Sequence, residues 1–387
     1  MNKTAASFKA MESDLATVVF DRHEEIHTAI LALITKKHHF SLGEPGIAKS
    51  MMVDELIKRI SGLHTGDTFS ILLSRTTTPD ELLGGIDIIR YTEGRGMKRM
   101  PDRFFPRAKI AFLDEIFNAS SPILNTTLKI LNERFFYNYD DDPHTPLISC
   151  FAASNSLPQS DDLRALYDRL HFRHKVNNIS NTSTFVSMLA AEVDPNPKQH
   201  INLEDIETAS VETSKVTIGQ NIYEALVEIK AALASEGITV TDRRWKQTIS
   251  VIQAEAWLDG SMAAKPKHLS SLPHLLWSDP NDYRKVAKIV NDVANPAERN
   301  ALELVDSLTD VFTEFKTSLA DAENERKARH LATELMKTCN RAKADVRQIE
   351  AEMGGAPTPT VLRARTLIGE MGRAAAAALG LADEGVK

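Results

Sequence analysis

Gly43-Glu44-Pro45-Gly46-Ile47-Ala48-Lys49-Ser50 is the stretch on which the fold turns. It follows Phe40-Ser41-Leu42, a short apolar segment with the look of a buried strand. It runs into Met51–Ile60, where Leu56, Ile57 and Ile60 recur at helical spacing. A strand, a glycine-bearing loop and then Lys-Ser at a helix start make a phosphate cradle. Backbone N–H groups in such a turn point at an anion, and the helix dipole favours negative charge there. Lys49 is placed to reach β- and γ-phosphates, and the Ser50 hydroxyl to sit on Mg²⁺. The consensus is G-x-x-x-x-G-K-[ST], and Ala48 stands where the second glycine belongs. A negative φ is expected at that slot, so a methyl group is tolerable. Taken alone, the loop could also be a Gly/Pro turn that happens to precede a lysine.

The bulk of the chain fits a soluble globular protein. Its 387 residues suffice for two or three domains with cores of their own. With 46 Lys+Arg against 53 Asp+Glu, the net charge of −7 argues against a general nucleic-acid coat. The two cysteines, Cys150 and Cys339, lie far apart, one in an apolar strand and one on a helix. Both are expected to be reduced packing residues, and no spacing suggests zinc. The N-terminus has no apolar leader segment, and no run of eighteen apolar residues occurs, so the expectation is a cytoplasmic protein without a membrane span.

Along the chain, residues 14–36 are expected to form one amphipathic helical stretch with Ile26, Ile30, Leu31 and Ile34 on its inner face. Phe69–Leu73 is a second strand, and Thr78–Gly85 a capped helical turn closed by glycines. Ile86–Tyr91 and Met97–Met100 suggest two short strands around the Glu93–Gly96 turn, in a segment rich in Arg and Lys through Lys109. A solvated hairpin explains that charge as well as a binding surface does. Ile110-Ala111-Phe112-Leu113-Asp114-Glu115 is a buried strand with two carboxylates at its C-terminal end, the end at which ligands bind in open α/β sheets. Asp114 can hold Mg²⁺ through its water shell, and Glu115 can deprotonate a water attacking the γ-phosphate. Alone, the pair could equally cap a helix beginning near Ser120. The loop upstream favours the catalytic reading. Leu147–Asn155 is another buried strand, and Asn155 at its tip can hold the attacking water, although a turn role is open to it too. His171 and His174, three apart on the strand His171–Val176, face opposite sides and do not suggest a metal pair. Residues 181–193 and 201–295 are expected to be helical. From 296 onward, Val305, Leu308, Phe312, Phe315, Leu319 and Ala322, and then Ala332 through Met353, step by three and four. That seam indicates long packed helices, broken at Gly354–Pro359 before an alanine-rich helix to Leu381.

The ordered set Gly43–Ser50, Leu113-Asp114-Glu115, Asn155, Asp168-Arg169-Leu170 and Asp242-Arg243-Arg244-Trp245 resembles an AAA+ ATPase of the MoxR family, most closely its RavA subgroup. Gly46-Ile47-Ala48-Lys49-Ser50, Phe112–Ile116, Ala152–Asn155 and Ala165–Arg169 are the phrases that carry the subgroup likeness. The resemblance covers residues 15–295. It implies a P-loop αβα core with a parallel sheet over 1–195 and a helical lid over 196–295, to which the seam described above adds a helical extension over 296–387. It further implies ATP and Mg²⁺, with Lys49 and Ser50 as the Walker A pair and Asp114 and Glu115 as Walker B. Asn155 matches sensor 1, Arg169 an arginine finger acting on the neighbouring subunit, and Arg243 sensor 2, with Arg244 the runner-up. Arg22 and His23 match the segment lining the adenine pocket. Residues 86–100 fall where a helix-2 insert, a candidate substrate-facing loop, is expected. The family implies a hexameric ring and a partner bearing a von Willebrand factor A domain, chaperone-like in action. Two other readings compete with it: a nucleic-acid motor, and a nucleotide-gated scaffold acting through its last helices. The RavA subgroup also carries a β-rich insert in its C-terminal domain that residues 296–387 lack, so a partner held by that insert is not implied here.

Overall fold

The computed structural model describes residues 2–139, 141–158, 161–179, 182–191, 196–320, 325–353 and 358–379. The strands are β1 (His39–Leu42), β2 (Ile60–Ser61), β3 (Thr68–Leu72), β4 (Ile110–Asp114), β5 (Ser149–Ser154), β6 (Phe172–Lys175) and β7 (Ile201–Asn202). The helices that precede or separate them are α1 (Lys3–Leu15), α2 (His23–Ile34), α3 (Lys49–Lys58), α4 (Pro79–Leu83), α5 (Ile88–Thr92), α6 (Ser121–Glu133), α7 (Asp161–Arg169) and α8 (Thr182–Ala190). Those that follow are α9 (Leu203–Thr213), α10 (Gln220–Ser235), α11 (Asp242–Leu258), α12 (Pro273–Leu276), α13 (Tyr283–Ala294), α14 (Pro296–Ala320), α15 (Glu325–Met353) and α16 (Pro359–Ala378). The chain divides into two compact units, Met1–Val290 and Asn291–Lys387.

In the first unit, five strands form a parallel sheet in the order β3-β4-β5-β1-β6. Every residue of β1 and β5 is buried, as expected of strands covered on both faces. From β1 the chain crosses to the far edge, works back through β4 and β5, and then passes to the other side of β1. The order therefore reverses beside β1, and open α/β sheets bind ligands in the crevice at that reversal. Phe40, Leu113, Ala152, Leu166 and Ile123 belong to the core on one side of this sheet.

Several expectations are corrected. The stretch 14–36 is two helices, because residues 16–22 form a turn in which Asp21 takes a positive φ of 57°. The hairpin over 86–100 is a short helix, α5, with one antiparallel bridge between Ile86 and Arg99. The Asp87 carboxylate accepts from the Arg90 N–H and starts the helix, and Gly94 and Gly96, both at positive φ, end it. Within the span expected to be helical, Ile201–Asn202 instead pairs in parallel with Ile60–Ser61, tying β7 to β2. The capped turn at Thr78 is present: Glu81 and Thr78 satisfy each other's backbone N–H groups in a capping box.

The second unit contains α14, α15 and α16 packed along one seam. Val305, Leu308, Phe312, Phe315, Ala332, Leu335, Cys339, Ala342, Val346 and Ile349 are all buried there, with Val361, Ala364, Ile368 and Met371 from α16. Ala322, residues 354–357 and Leu381 lie outside the described residues. Among the described residues, no helix is long and apolar enough to cross a membrane.

Candidate functional site

The register of the sheet sets the site. Leu42 pairs with Ser154 across β1 and β5, and Leu113 pairs with Ala152 across β4 and β5. The C-terminal ends of three adjacent strands therefore deliver Gly43, Asp114 and Asn155 to one edge. The Gly43 N–H donates to the Ser154 carbonyl at 3.0 Å, which seats the start of the loop on β5. A Cβ at Gly43 would meet Ile47 Cδ1 at 2.3 Å and the Val176 carbonyl at 2.7 Å, so only glycine fits. Gly46 sits at φ 85°, where glycine alone is unstrained.

Ala48 departs from expectation. It caps α3 at φ 63° and ψ 23°, in the left-handed region rather than at negative φ. The turn needs that conformation to swing successive N–H groups inward before the helix begins. The alanine methyl therefore carries a backbone strain of about 1 kcal/mol that a glycine would not.

Lys49 donates its ammonium to the Gly43 carbonyl and to the Ser154 carbonyl at 3.5 Å, holding it over the loop. Ser50, the second residue of α3, is exposed. On β4, the Asp114 carboxylate accepts from the Glu115 N–H at 3.0 Å. Glu115 itself is left-handed, with φ 50°, which turns its side chain off the strand direction. Its Oε2 accepts from the Asn155 N–H at 3.4 Å and from Asn118 Nδ2 at 3.3 Å. Glu115 and Asn155 thus meet through the backbone of Asn155, which leaves the Asn155 side chain exposed at the strand tip.

A cleft of about 710 Å³ opens beside the loop, lined by Gly43, Glu44, Ile47, Asn155 and residues 175–178. A second, of about 460 Å³, shares Lys175 and Asn177 with it and continues past Glu24, His274 and Tyr283. Arg22 is buried and donates to the Asn177 carbonyl at 2.6 Å, so it shapes the cleft wall without lining it, while His23 is exposed at the start of α2. A third cavity, of about 520 Å³, includes Lys36, Lys109, Arg134 and Ile148. Its cations are engaged by Glu207, Asp67 and backbone carbonyls, so it offers no free anion cradle.

Arg169 and Arg243 meet at one carboxylate that sequence reasoning quoted without assigning it a role. Asp168 Oδ2 lies 3.4 Å from Arg169 Nη1 and 3.7 Å from Arg243 Nη1, and Oδ1 lies 3.3 Å from Arg244 Nε. Arg243 is half exposed, whereas Arg244 is buried and donates to the carbonyls of Leu170, His171 and Leu275. Arg173 was also missed. It is buried against the Tyr167 ring at 3.6 Å and donates to the carbonyls of Tyr167, Leu170 and Trp277. Two buried guanidinium groups therefore stitch the end of α7 to residues 275–278. His171, just before β6, lies beside His38, whereas His174 on β6 is stacked between His39 and His274.

A family model described as the MoxR domain in the MoxR-vWA-beta-propeller ternary systems matches residues 6–215. The chain belongs to the MoxR family of AAA+ ATPases. A second model, an AAA lid domain, matches residues 221–290, which contain α10, α11 and α12. This MoxR chain is 36% identical over 306 residues to the uncharacterized protein MJ0812 of Methanocaldococcus jannaschii, covering 79% of this chain and 81% of that one. It is 33% identical over 316 residues to MJ0079 of the same organism, covering 82% of each. It is also 30% identical to the structural protein ORF618 of Acidianus two-tailed virus, covering 74% of this chain and 52% of that one. A crystal structure from Cytophaga hutchinsonii, described as a candidate ATPase, superposes with a TM-score of 0.58 at 16% identity. It covers 75% of this chain and 94% of its own and supports the fold alone. The architecture is the P-loop αβα sandwich on a parallel sheet, followed by an all-α lid and C-terminal helices.

Proposed function

We propose that this MoxR protein hydrolyses ATP with Mg²⁺ in a ring of identical subunits and uses the cycle to remodel or activate a protein partner. The observation that carries it is the strand register, which brings Gly43, Asp114 and Asn155 to one edge at the sheet's reversal point. A loop with no room for a Cβ at Gly43 fits close approach of a polyphosphate to backbone N–H groups. In this reading, Lys49 exchanges its carbonyl contacts for β- and γ-phosphate oxygens. Ser50 and Asp114 would hold Mg²⁺, a hydroxyl and one carboxylate being donors that ion accepts alongside water and phosphate. Bound there, the ion neutralises charge on the transferring phosphoryl group. Glu115 takes the proton of the attacking water, which the Asn155 side chain orients. Arg169 acts on a neighbouring subunit's nucleotide, Arg243 senses the γ-phosphate from the lid, and Arg22 and His23 frame the adenine side.

The RavA-like grouping and the division at 195/196 and 295/296 belong to the same proposal. A von Willebrand factor A partner is supported by the systems that the matching family model describes. A protein substrate is favoured over nucleic acid by residues 86–109. Arg95, Lys98, Arg99, Arg107 and Lys109 pair with Glu93, Asp141, Asp80, Asp141 and Asp67 respectively. Beside these paired charges the segment exposes a set of apolar side chains, Ile88, Ile89, Tyr91 and Met97. Such a face suits a polypeptide more than a phosphate backbone.

The deciding experiment is Glu115→Gln. Nucleotide binding should persist while turnover falls by about 10²- to 10⁴-fold, the usual loss on removing a general base. Hydrolysis at the parent rate would remove Glu115 from this role.

A further inference from the structure

Helix α11 begins with two arginines at the end where helices disfavour cations. Thr241 caps it, and Arg243 and Arg244 stand in its first turn, at the positive end of the helix dipole. Asp242 beside them is paired with Lys230 at 3.4 Å, so each arginine needs an anion from elsewhere. For Arg244 that need is met inside the protein. It is buried, donates to the carbonyls of Leu170, His171 and Leu275, and faces Asp168 Oδ1 at 3.3 Å. Arg173 donates to the carbonyls of Tyr167 and Leu170, so the backbone on both sides of Asp168 is pinned. The carboxylate is thereby set in one place, with its second oxygen left for other partners. Arg243 is held more loosely. Its side chain is 51% exposed and lies 3.7 Å from Asp168 Oδ2, the same oxygen that Arg169 Nη1 approaches at 3.4 Å. Two like charges on one oxygen repel each other, so neither is held as firmly as it would be alone. Arg169 shows the same slack: its Nε is buried and, among the described residues, has no hydrogen-bond partner.

We infer that Asp168 is a releasable catch for Arg243, the internal anion that a nucleotide's γ-phosphate must displace. A rigid carboxylate whose outer oxygen is shared by two cations suits that task. It occupies Arg243 in the free chain, yet yields it to an anion of higher charge. Asp168 is on this account a positioning residue, which sets how much of the free energy of ATP binding is used in moving Arg243. The inference rests on the reading of Arg243 proposed above, as the residue that senses the γ-phosphate, and adds what the nucleotide competes against.

The test is calorimetric titration of ATP with Mg²⁺ into the full chain in the Glu115→Gln background, in which ATP should bind without turnover. Four proteins are compared: this parent, and the same chain with Asp168→Asn, with Arg243→Ala, or with both. Arg243→Ala should bind ATP more weakly. Asp168→Asn should bind it roughly two- to fivefold more tightly, the range that an exposed ion pair contributes. The double variant should bind as Arg243→Ala alone does, and ADP, without a γ-phosphate, should bind all four alike. Asp168→Asn binding at parental or weaker affinity, a tightening that survives Arg243→Ala, or one shared by ADP would each overturn the inference. Weaker binding by Arg243→Ala with no gain from Asp168→Asn discards the catch and leaves the sensor reading standing. Parental affinity in Arg243→Ala removes that reading, and the catch with it. Asp168→Ser repeats the series should the asparagine variant lack a cooperative unfolding transition in urea. Failure of both to fold would assign the carboxylate to the fold, which also overturns the inference.

Discussion

Asp168 and Arg244 are joined at 3.3 Å between Oδ1 and Nε, and this buried guanidinium is what fixes the carboxylate to which Arg169 and the half-exposed Arg243 are also drawn. The neighbours Arg243 and Arg244 should therefore fail in different ways. Arg244→Ala leaves several carbonyls and a carboxylate without their donor, and should cost about 3–5 kcal/mol in urea unfolding. Arg243→Ala should stay within about 0.5 kcal/mol of the parent while ATP hydrolysis drops. Equal stability losses for the two would contradict this division of labour.

Lys49→Ala removes an ammonium whose contacts are two loop carbonyls. A charge-assisted hydrogen bond contributes about 1.5–3 kcal/mol, so affinity for ATP should weaken by roughly 10- to 100-fold. Isothermal titration measures it. Unchanged affinity would show that the lysine never leaves those carbonyls for a phosphate.

Ala48 offers a test of backbone strain inside the loop. Ala48→Gly relieves about 1 kcal/mol in the folded chain but gains freedom in the unfolded one, so stability should change by less than about 1 kcal/mol. Ala48→Val places a β-branched side chain at φ 63° and should lose about 1–3 kcal/mol. Thermal unfolding of the pair distinguishes the two, and a valine variant as stable as the parent would mean that the loop can adopt another conformation.

His27 bridges Glu12 at 2.9 Å and Glu255 at 3.0 Å, tying α2 to α1 and α11. Burial pulls the imidazolium down, but hydrogen bonds and charge from the two carboxylates outweigh it and raise its pKa to about 10. With the folded value above the ordinary 6.5, its contribution is whole below pH 6.5 and is lost as pH climbs toward 10. Glu255 works in the opposite direction. Burial pushes its carboxyl up, but His27 and Ser271 hold it low, so its share is lost as pH falls below 4.5. The advantage of the parent over His27→Gln in urea unfolding should be greatest near pH 6 and shrink by pH 10. A difference that stays flat across that range would show that the bridge holds no proton.

The sequence revealed those parts whose causes are local. β1, β4 and β5 were visible as apolar runs because a strand covered on both faces has no polar side to show, and Gly43–Ser50 announced itself by spacing. The Asp168 cluster was not visible, since its carboxylate and Arg244 stand 76 residues apart and only the folded chain brings them together. The charge balance of residues 90–109 was hidden for a related reason. Asp80, Asp67 and Asp141, which pair with most of it, lie outside that window. Over the five residues of α5, periods of 2 and 3.6 cannot be told apart, and only the Asp87 cap decided.

The β2–β7 ladder has a mechanical consequence. It is two residues long, Ile60 on Ile201 and Ser61 on Asn202, and Asn202 also caps α9 while accepting from Ser61 Oγ at 2.6 Å. Two parallel rungs resist sliding along the strand but offer little torque against rotation about it. The point where the chain leaves the ladder for α9 is thus pinned in position, and what fixes the angle of the helix is the burial of Ile206, Ala209 and Thr213 and the bonds of Glu207 to Lys36 and of Glu212 to Trp257.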